Sequence, residues 1–434
     1  MLIIQLIFIL AAIIAGARLG GIGLGVMGGI GMAVLVFVFG LEPTSPPIDV
    51  MLMIASVVSA AAAMQAAGGL DYLVLLAEKL LRKNPSQVTI VSPLVAYLFT
   101  FVAGTGHVAY SVLPVISEVA TETKIRPERP LGISVIASQQ AITASPISAA
   151  TVALLGMLSG FGVTLLDILM VTIPSTLMGV LVGAFLSKRV GKELLDDPEY
   201  QRRVKQGLIK ENAHTINRIK TLWKARLSVA LFVLATVVVV IFGSVPSIRP
   251  VFADGSSVGM PVIIEILMLS VAAVILLVCG IDGIIPTKGS VFIAGMQAVI
   301  AIFGIAWMGD TFINGNIETI TGAVKGMVTQ FPWLFAVALF VMSILLYSQA
   351  ATVRAVMPLG VALGMNPMML IALFPAVNGY FFIPNYPTVV AAINFDRTGT
   401  TRIGKYVLNH SFMMPGLVAT IVAVAVGLLL IQLY

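Results

Sequence analysis

The chain has 434 residues, 59% of them hydrophobic and 10% charged, with mean hydropathy +1.06, against about 25% charged residues in soluble domains; a soluble globular fold is excluded. Its single cysteine rules out a disulfide framework within one chain, and three dispersed histidines give no zinc or haem pattern, so neither metal nor cofactor is expected. The net charge of +6 does not require nucleic acid, because the distribution of that charge follows a membrane topology.

Apolar runs of about 20 residues cross a bilayer as helices. The chain opens on two, near 2–16 and 21–41, and the first lacks the basic n-region and A-x-A site of a signal peptide. Gly16 to Gly31 is glycine-rich, which suits close helix packing; no P-loop lysine follows it. A third span near 50–67 precedes an amphipathic stretch, Asp71 to Lys83. The next apolar pieces, 88–103 and 107–119, are short for a crossing and meet at a polar tip, which predicts a re-entrant hairpin. Spans near 131–160, interrupted at ASPIS, and 165–187 complete the half. Segment 188–226 is the only long polar stretch and reads as a solvated cytoplasmic connector. The pattern then returns. Spans near 227–244, 262–279 and 290–309 lead to an amphipathic stretch, Thr311 to Val328. A hairpin of 333–347 with 353–365, an interrupted span at 367–395 and a last span at 406–433 follow.

The two halves share one signature. GTGHVAYSVLP (104–114) and ASPISAATVA (144–153) correspond to SQAATVRAVMP (348–358) and NYPTVVAAI (385–393), and the first prolines lie 244 residues apart. The expected fold class is an all-α polytopic membrane protein with two inverted repeats, about ten transmembrane helices, two re-entrant hairpins and two broken helices. The first repeat is 1–187, with hairpin 88–119 and broken helix 131–160. The linker is 188–226. The second repeat is 227–434, with hairpin 333–365 and broken helix 367–395. With the N-terminus outside, all but Arg249, Lys325 and Arg354 of the 25 Lys and Arg fall on the cytoplasmic side, as the positive-inside rule demands. Both termini are then periplasmic.

A polar break inside a span leaves backbone groups unpaired, and it persists where it lines a protein-enclosed cavity. Four helix N-termini, starting around Gly106, Ile147, Ala350 and Thr388, are expected to converge near the midplane. Each offers unpaired N–H donors and roughly half a positive charge, which suits an anion. The candidate substrate ligands are Thr105, Gly106, His107, Ser145, Pro146, Ser148, Ser348, Gln349, Thr352, Arg354, Asn385, Pro387 and Thr388. No acidic residue falls at a mid-membrane position, as a cation or proton carrier usually requires; Asp167, Glu265 and Asp310 lie near span ends. Arg354 either forks two donors to a carboxylate or caps neighbouring carbonyls. His107 is either a ligand or a packed polar residue, and His410 reads as structural. Glu78 and Arg82, spaced i,i+4, and Arg126 in IRPERP are candidates for a gate or entry path.

GARLGGIGLG, GGLDYLVLLAEKLLRKNP, AGTGHVAYSVLPVI, IRPERP, TASPISAA, TIPSTL, AWMGDTF, SQAATVRAVMP and NYPTVVAAINFDRTGTTRIGKYVLNHSF run in collinear order along nearly the whole chain. Together they resemble the Dcu family of anaerobic C4-dicarboxylate transporters; the linker 188–226 matches least. The resemblance implies exchange of fumarate, malate, aspartate and succinate across a bacterial inner membrane, in the subgroup associated with aspartate and fumarate. It also implies the re-entrant inverted repeats of a wider ion-transporter superfamily, whose members are often homodimers. The partners are then small dicarboxylates and membrane lipid, with no nucleic acid.

The leading expectation is an antiporter working by alternating access, and not an enzyme. The alternative is a sodium- or proton-coupled symporter of the same acids, since oxygen ligands at the tips suit a hard cation. An intramembrane protease would need H-E-x-x-H or a pair of mid-membrane carboxylates, and the sequence has neither. A channel fits broken helices in inverted repeats less well than alternating access does.

Overall fold

The computed structural model describes residues 1–19, 22–46, 48–209, 221–253, 256–316, 318–319, 330–346, 348–384, 386–406 and 408–433. Helices α1 (Leu2–Leu19), α2 (Gly23–Ala33) and α3 (Ile48–Ala66) open the chain, and α2 winds into a π-helical turn over Val34–Val38. At Gly68 the chain bends by 71° into the amphipathic α4 (Gly69–Lys83). The arms α5 (Val88–Ala103) and α6 (Ala109–Glu122) follow, then α7 (Glu128–Ala144) and α8 (Ala149–Leu158), the two parts of an interrupted span. Next come α9 (Leu165–Ser187) and a short linker helix, α10 (Pro198–Lys205). The second half holds α11 (Leu222–Ser244), α12 (Met260–Cys279), α13 (Ser290–Gly315), α14 (Trp333–Leu346) and α15 (Gln349–Ala362). It ends with α16 (Pro367–Leu373), α17 (Pro387–Phe395) and α18 (Met413–Leu430). Among the described residues, six helical stretches are long and apolar enough to cross a membrane, or seven if bent α3–α4 counts as one.

In lipid, helices associate through close packing of small residues, and the glycines serve that purpose. A Cβ added at Gly25 or Gly28 of α2 would strike the α13 backbone at Ile300 or Gly304. On α9, Gly179 packs onto Ala419 and Ala423 of α18. Asp167 is explained locally: its carboxylate accepts the Thr164 N–H at 2.8 Å while the Thr164 hydroxyl caps the Asp167 N–H, a reciprocal cap for α9.

Four elements depart from the sequence-based expectation. The last membrane helix begins at Met413, not 406. The preceding residues form a loop bridged between Ile403 and His410, because Asp396 and the threonines after it hold a tight turn. His410 Nδ1 accepts the Phe412 N–H at 3.2 Å, so Nε2 carries the proton towards the Phe382 carbonyl at 3.3 Å, a structural role. The stretch 311–328 starts inside α13, where buried Thr311 bonds Thr44 at 3.1 Å; residues 317 and 320–329 lie outside the described set. The second break is wide, with 3-10 turns at Phe374–Val377 and Gly379–Phe381 well before Pro387. Finally, the first part of the linker is docked. Arg129 donates to the Val190 and Gly191 carbonyls at 2.8 and 3.2 Å and pairs with Glu193. Residues 210–220 lie outside the described set.

Candidate functional site

Nearly every residue of α7 is buried, yet the helix carries Ser134, Ser138, Gln139, Gln140 and Thr143. Buried polar groups must find partners, and those of α7 lead to the site. The first hairpin tip rests on this helix. Gly104, at φ +69°, ends α5, and a Cβ there would come 2.9 Å from Ile147. A Cβ on Gly106 would collide with the Gln139 amide. Just past α7, the buried Ser145 hydroxyl donates to the Phe101 carbonyl at 2.7 Å. Pro146 is buried beside it. Ser148 caps α8, accepting the Thr151 N–H at 3.1 Å.

The second half meets the first here. Ser348 caps α15, accepting the Ala351 N–H at 3.2 Å, and the Thr352 hydroxyl donates to the Ser348 carbonyl at 2.8 Å. Gln349, the first residue of α15, donates from Nε2 to Gln139 Oε1 at 2.9 Å and to Asn378 Oδ1 at 3.2 Å. Asn378 Nδ2 donates to Gln140 Oε1 at 3.3 Å and to the Pro375 carbonyl at 3.1 Å. Gln140 Nε2 continues to the Thr420 hydroxyl of α18 at 3.1 Å. None of these four amides is more than 7% exposed. The α5–α6 turn, the start of α15 and the break after α16 therefore meet around Gln139, and the α7–α8 break touches the first of these where Ile147 meets Gly104. Thr388, in the first turn of α17, is 2% exposed and its hydroxyl has no partner among the described residues.

Of the predicted residues, Gly106, Ser145, Pro146, Ser148, Ser348, Gln349, Thr352 and Thr388 line these tips and breaks, with half-buried Thr105 between Gly104 and Gly106. Pro387 is the exposed start of α17. Asn385 and the His107 side chain lie outside the described residues. Arg354 sits about 140° around α15 from Gln349, five residues on at 3.6 per turn. The acidic charges acting on it are Asp310 of α13 and Asp49 of α3, so Asp310 accompanies the deep arginine. Sequence reasoning missed Gln139, Gln140, Asn378 and Thr420. The available signal was a pair of glutamines in an apolar helix, one turn before its break.

Glu78 and Arg82 do pair, and more follows. Arg82 Nε meets Glu78 at 2.9 Å, Nη2 meets Glu118 at 3.0 Å and Nη1 meets Glu122 at 2.8 Å, tying α4 to α6. Arg126 is buried between Glu128 and Asp197, at 2.5 Å from each. Burial pushes the Asp197 carboxyl up, but the hydrogen bonds from Arg126 and the Tyr200 N–H outweigh it and hold it below the usual range. The α6–α7 turn, the linker and the 396–411 loop meet at this end through Arg126–Asp197, Glu128–Ser411 and Arg203–Arg397.

Apolar helices of crossing length, interrupted around a buried knot of neutral polar side chains, define a multi-pass membrane transporter. Across residues 1–434 the chain matches the DcuA_DcuB family, described as anaerobic C4-dicarboxylate membrane transporters, and it belongs to that family. It is 46% identical over 427 residues to the C4-dicarboxylate transporter DcuA of Wolinella succinogenes, covering 98% of each chain. The DcuA of Escherichia coli strain K12 is 46% identical over 431 residues, 99% of each chain. The anaerobic C4-dicarboxylate transporter DcuB of E. coli O6:H1 is 42% identical over 443 residues, covering 99% of this chain and 98% of its own. The crystal structure of the Alcanivorax borkumensis YdaH transporter superposes with TM-score 0.59 over 100% of this chain and 98% of that one, at 13% identity, a likeness of fold.

Proposed function

We propose that this protein exchanges C4-dicarboxylates, the class of fumarate, malate, aspartate and succinate, across a bacterial inner membrane by alternating access. The observation that carries the reading is the meeting of three chain breaks at one amide knot, Gly106 against Gln139, Gln139 bonded to Gln349, and Gln349 bonded to Asn378, with the fourth break touching the first tip where Ile147 meets Gly104. The substrate class comes from full-length relatives named C4-dicarboxylate transporters. A four-carbon diacid needs donors for two carboxylates. The amides and the unpaired Thr388 hydroxyl offer neutral ones, and the N-termini of α8, α15 and α17 add partial positive charge. The knot itself contains no carboxylate to repel a dianion.

Two inverted repeats are supported by paired packing. Helix α2 packs on α13 as α12 packs on α3, and the corresponding helices α3 with α13, and α9 with α18, pack on each other. The cation distribution supports a cytoplasmic linker and periplasmic termini. Arg82, holding α4 to α6, and Arg126, holding the linker, would couple movement of the hairpin and break to that face. The direct test of the site is fumarate binding to purified wild-type, Gln349→Leu and Asn378→Leu proteins. Each variant is expected to bind roughly ten- to a hundredfold more weakly, the worth of a charge-assisted hydrogen bond. Wild-type affinity in both folded variants would place the substrate elsewhere.

A further inference from the structure

A cavity of about 630 Å³ lies between the end of α17, the loop after it, α10 and Leu208. Its nearest lining residue on α17, Ile393, stands five residues from Thr388, about 8 Å along the helix at 1.5 Å per residue. The loop that forms its wall is tightly built. Asp396, 2% exposed, accepts the Thr398 N–H at 2.8 Å and hydroxyl at 2.5 Å on one oxygen. Its other oxygen accepts the Thr400 hydroxyl at 2.8 Å and the Thr401 N–H at 2.6 Å. Both carboxylate oxygens are therefore turned into the loop. Gly399 takes φ +76°, and the Arg203 guanidinium lies where its Cβ would be.

The wall facing the cavity is basic. Arg203, Arg397 and Arg402 line it together with Thr401. Arg203 pairs with Glu199 and donates to the Arg397 carbonyl at 3.0 Å, which fixes its position. Arg402 is exposed and forms no ion pair among the described residues. Thr401 is 2% exposed, yet its hydroxyl has no hydrogen-bond partner among the described residues. A buried unpaired hydroxyl is destabilising unless something arrives to bond it.

We propose that this cavity is a second anion site, taking a carboxylate or phosphate group onto the Thr401 hydroxyl with Arg402 and Arg203 supplying the charge. Such an oxyanion belongs either to a free solute or to the headgroup of an anionic phospholipid. The site stands on its own geometry and does not depend on the transport reading.

The test follows thermal unfolding of the full-length protein in detergent, with inorganic phosphate, succinate or short-chain phosphatidylglycerol added. Wild type is compared with Arg402→Gln and Thr401→Val. At least one anion is expected to raise the wild-type melting temperature by binding the folded state, and each substitution is expected to remove most of that rise. Without any anion, Thr401→Val should melt no lower than wild type, because it deletes an unpaired hydroxyl at constant shape; a purely structural threonine would behave in the opposite way. A rise with phosphate or succinate assigns a solute, and a rise with phosphatidylglycerol alone assigns a lipid headgroup. A succinate effect that survives both substitutions belongs to the knot between the breaks and counts against the cavity. The proposal is overturned if no anion effect requires both Arg402 and Thr401, or if Thr401→Val lowers the anion-free melting temperature.

Discussion

A buried amide must find partners for one carbonyl and two N–H groups, and Gln139, Gln140, Gln349 and Asn378 find several of theirs in one another. Their neutrality suits the dianionic cargo proposed above. Gln139→Glu places a like charge beside it, worth about 4 kcal/mol at 4 Å in a medium of effective dielectric 20, or roughly a thousandfold in affinity. Fumarate uptake by that variant should fall below detection, while Gln139→Asn keeps measurable uptake; equal rates for the two would remove Gln139 from the substrate path. Arg354 makes a different prediction. With Asp310 and Asp49 as its charge partners, Arg354→Gln should lower the melting temperature, and adding Asp310→Asn should restore much of it. The loss is expected to stay at about 1 kcal/mol, because both side chains are half-buried and no ion pair joins them among the described residues. A tenfold or larger rise in transport KM at unchanged melting would instead seat a substrate carboxylate on the arginine.

At the scale of elements, prolines and small polar residues in apolar runs marked where helices stop, because lipid tolerates an interruption only inside protein. Hence the helix ends at 104–108 and 348 and the break at 145–148 were legible, and Ser148 and Ser348 are caps of the expected kind. Asn378 was not legible. Its break is made by 3-10 turns after Phe374, without a polar cluster, and its partners lie 29 and 238 residues away. Pairings across such separations depend on how whole helices cross, which one chain's periodicity does not report. The docked linker was hidden for the same reason: a charge run reads as solvated until its partners Arg126 and Arg129 are placed. Docking has a pH signature. Asp197 has a depressed carboxyl, so its contribution is complete above its ordinary value of 3.8 and is lost as pH falls below it. Hydrogen exchange at Glu199 and Tyr200, whose N–H groups Asp197 caps, should be unchanged from neutral pH to about 5 once corrected for the intrinsic rate, and should lose protection below the ordinary carboxylate range. Asp197→Asn should show that loss at neutral pH. Protection unaffected by the substitution would mean that Arg126 does not hold the linker.

For the whole molecule, the orientation is open to direct labelling. Cys279 is fully buried, so a Cys279→Ala background carrying Gln206→Cys or Gln432→Cys, both exposed positions, gives one reporter per face. Gln206→Cys should react only with reagent on the cytoplasmic side and Gln432→Cys only with reagent outside; the reverse pattern would invert the topology. The central claim, that the knot at Gln139 serves exchange of four-carbon diacids, is tested most directly by counterflow. Purified protein in liposomes preloaded with unlabelled succinate, with no sodium or proton gradient, is given external radiolabelled fumarate. We predict rapid uptake that requires the internal succinate and is abolished by Gln139→Glu. Uptake that ignores the internal acid and appears only with an imposed cation gradient, or no uptake of any C4-dicarboxylate, would contradict the account.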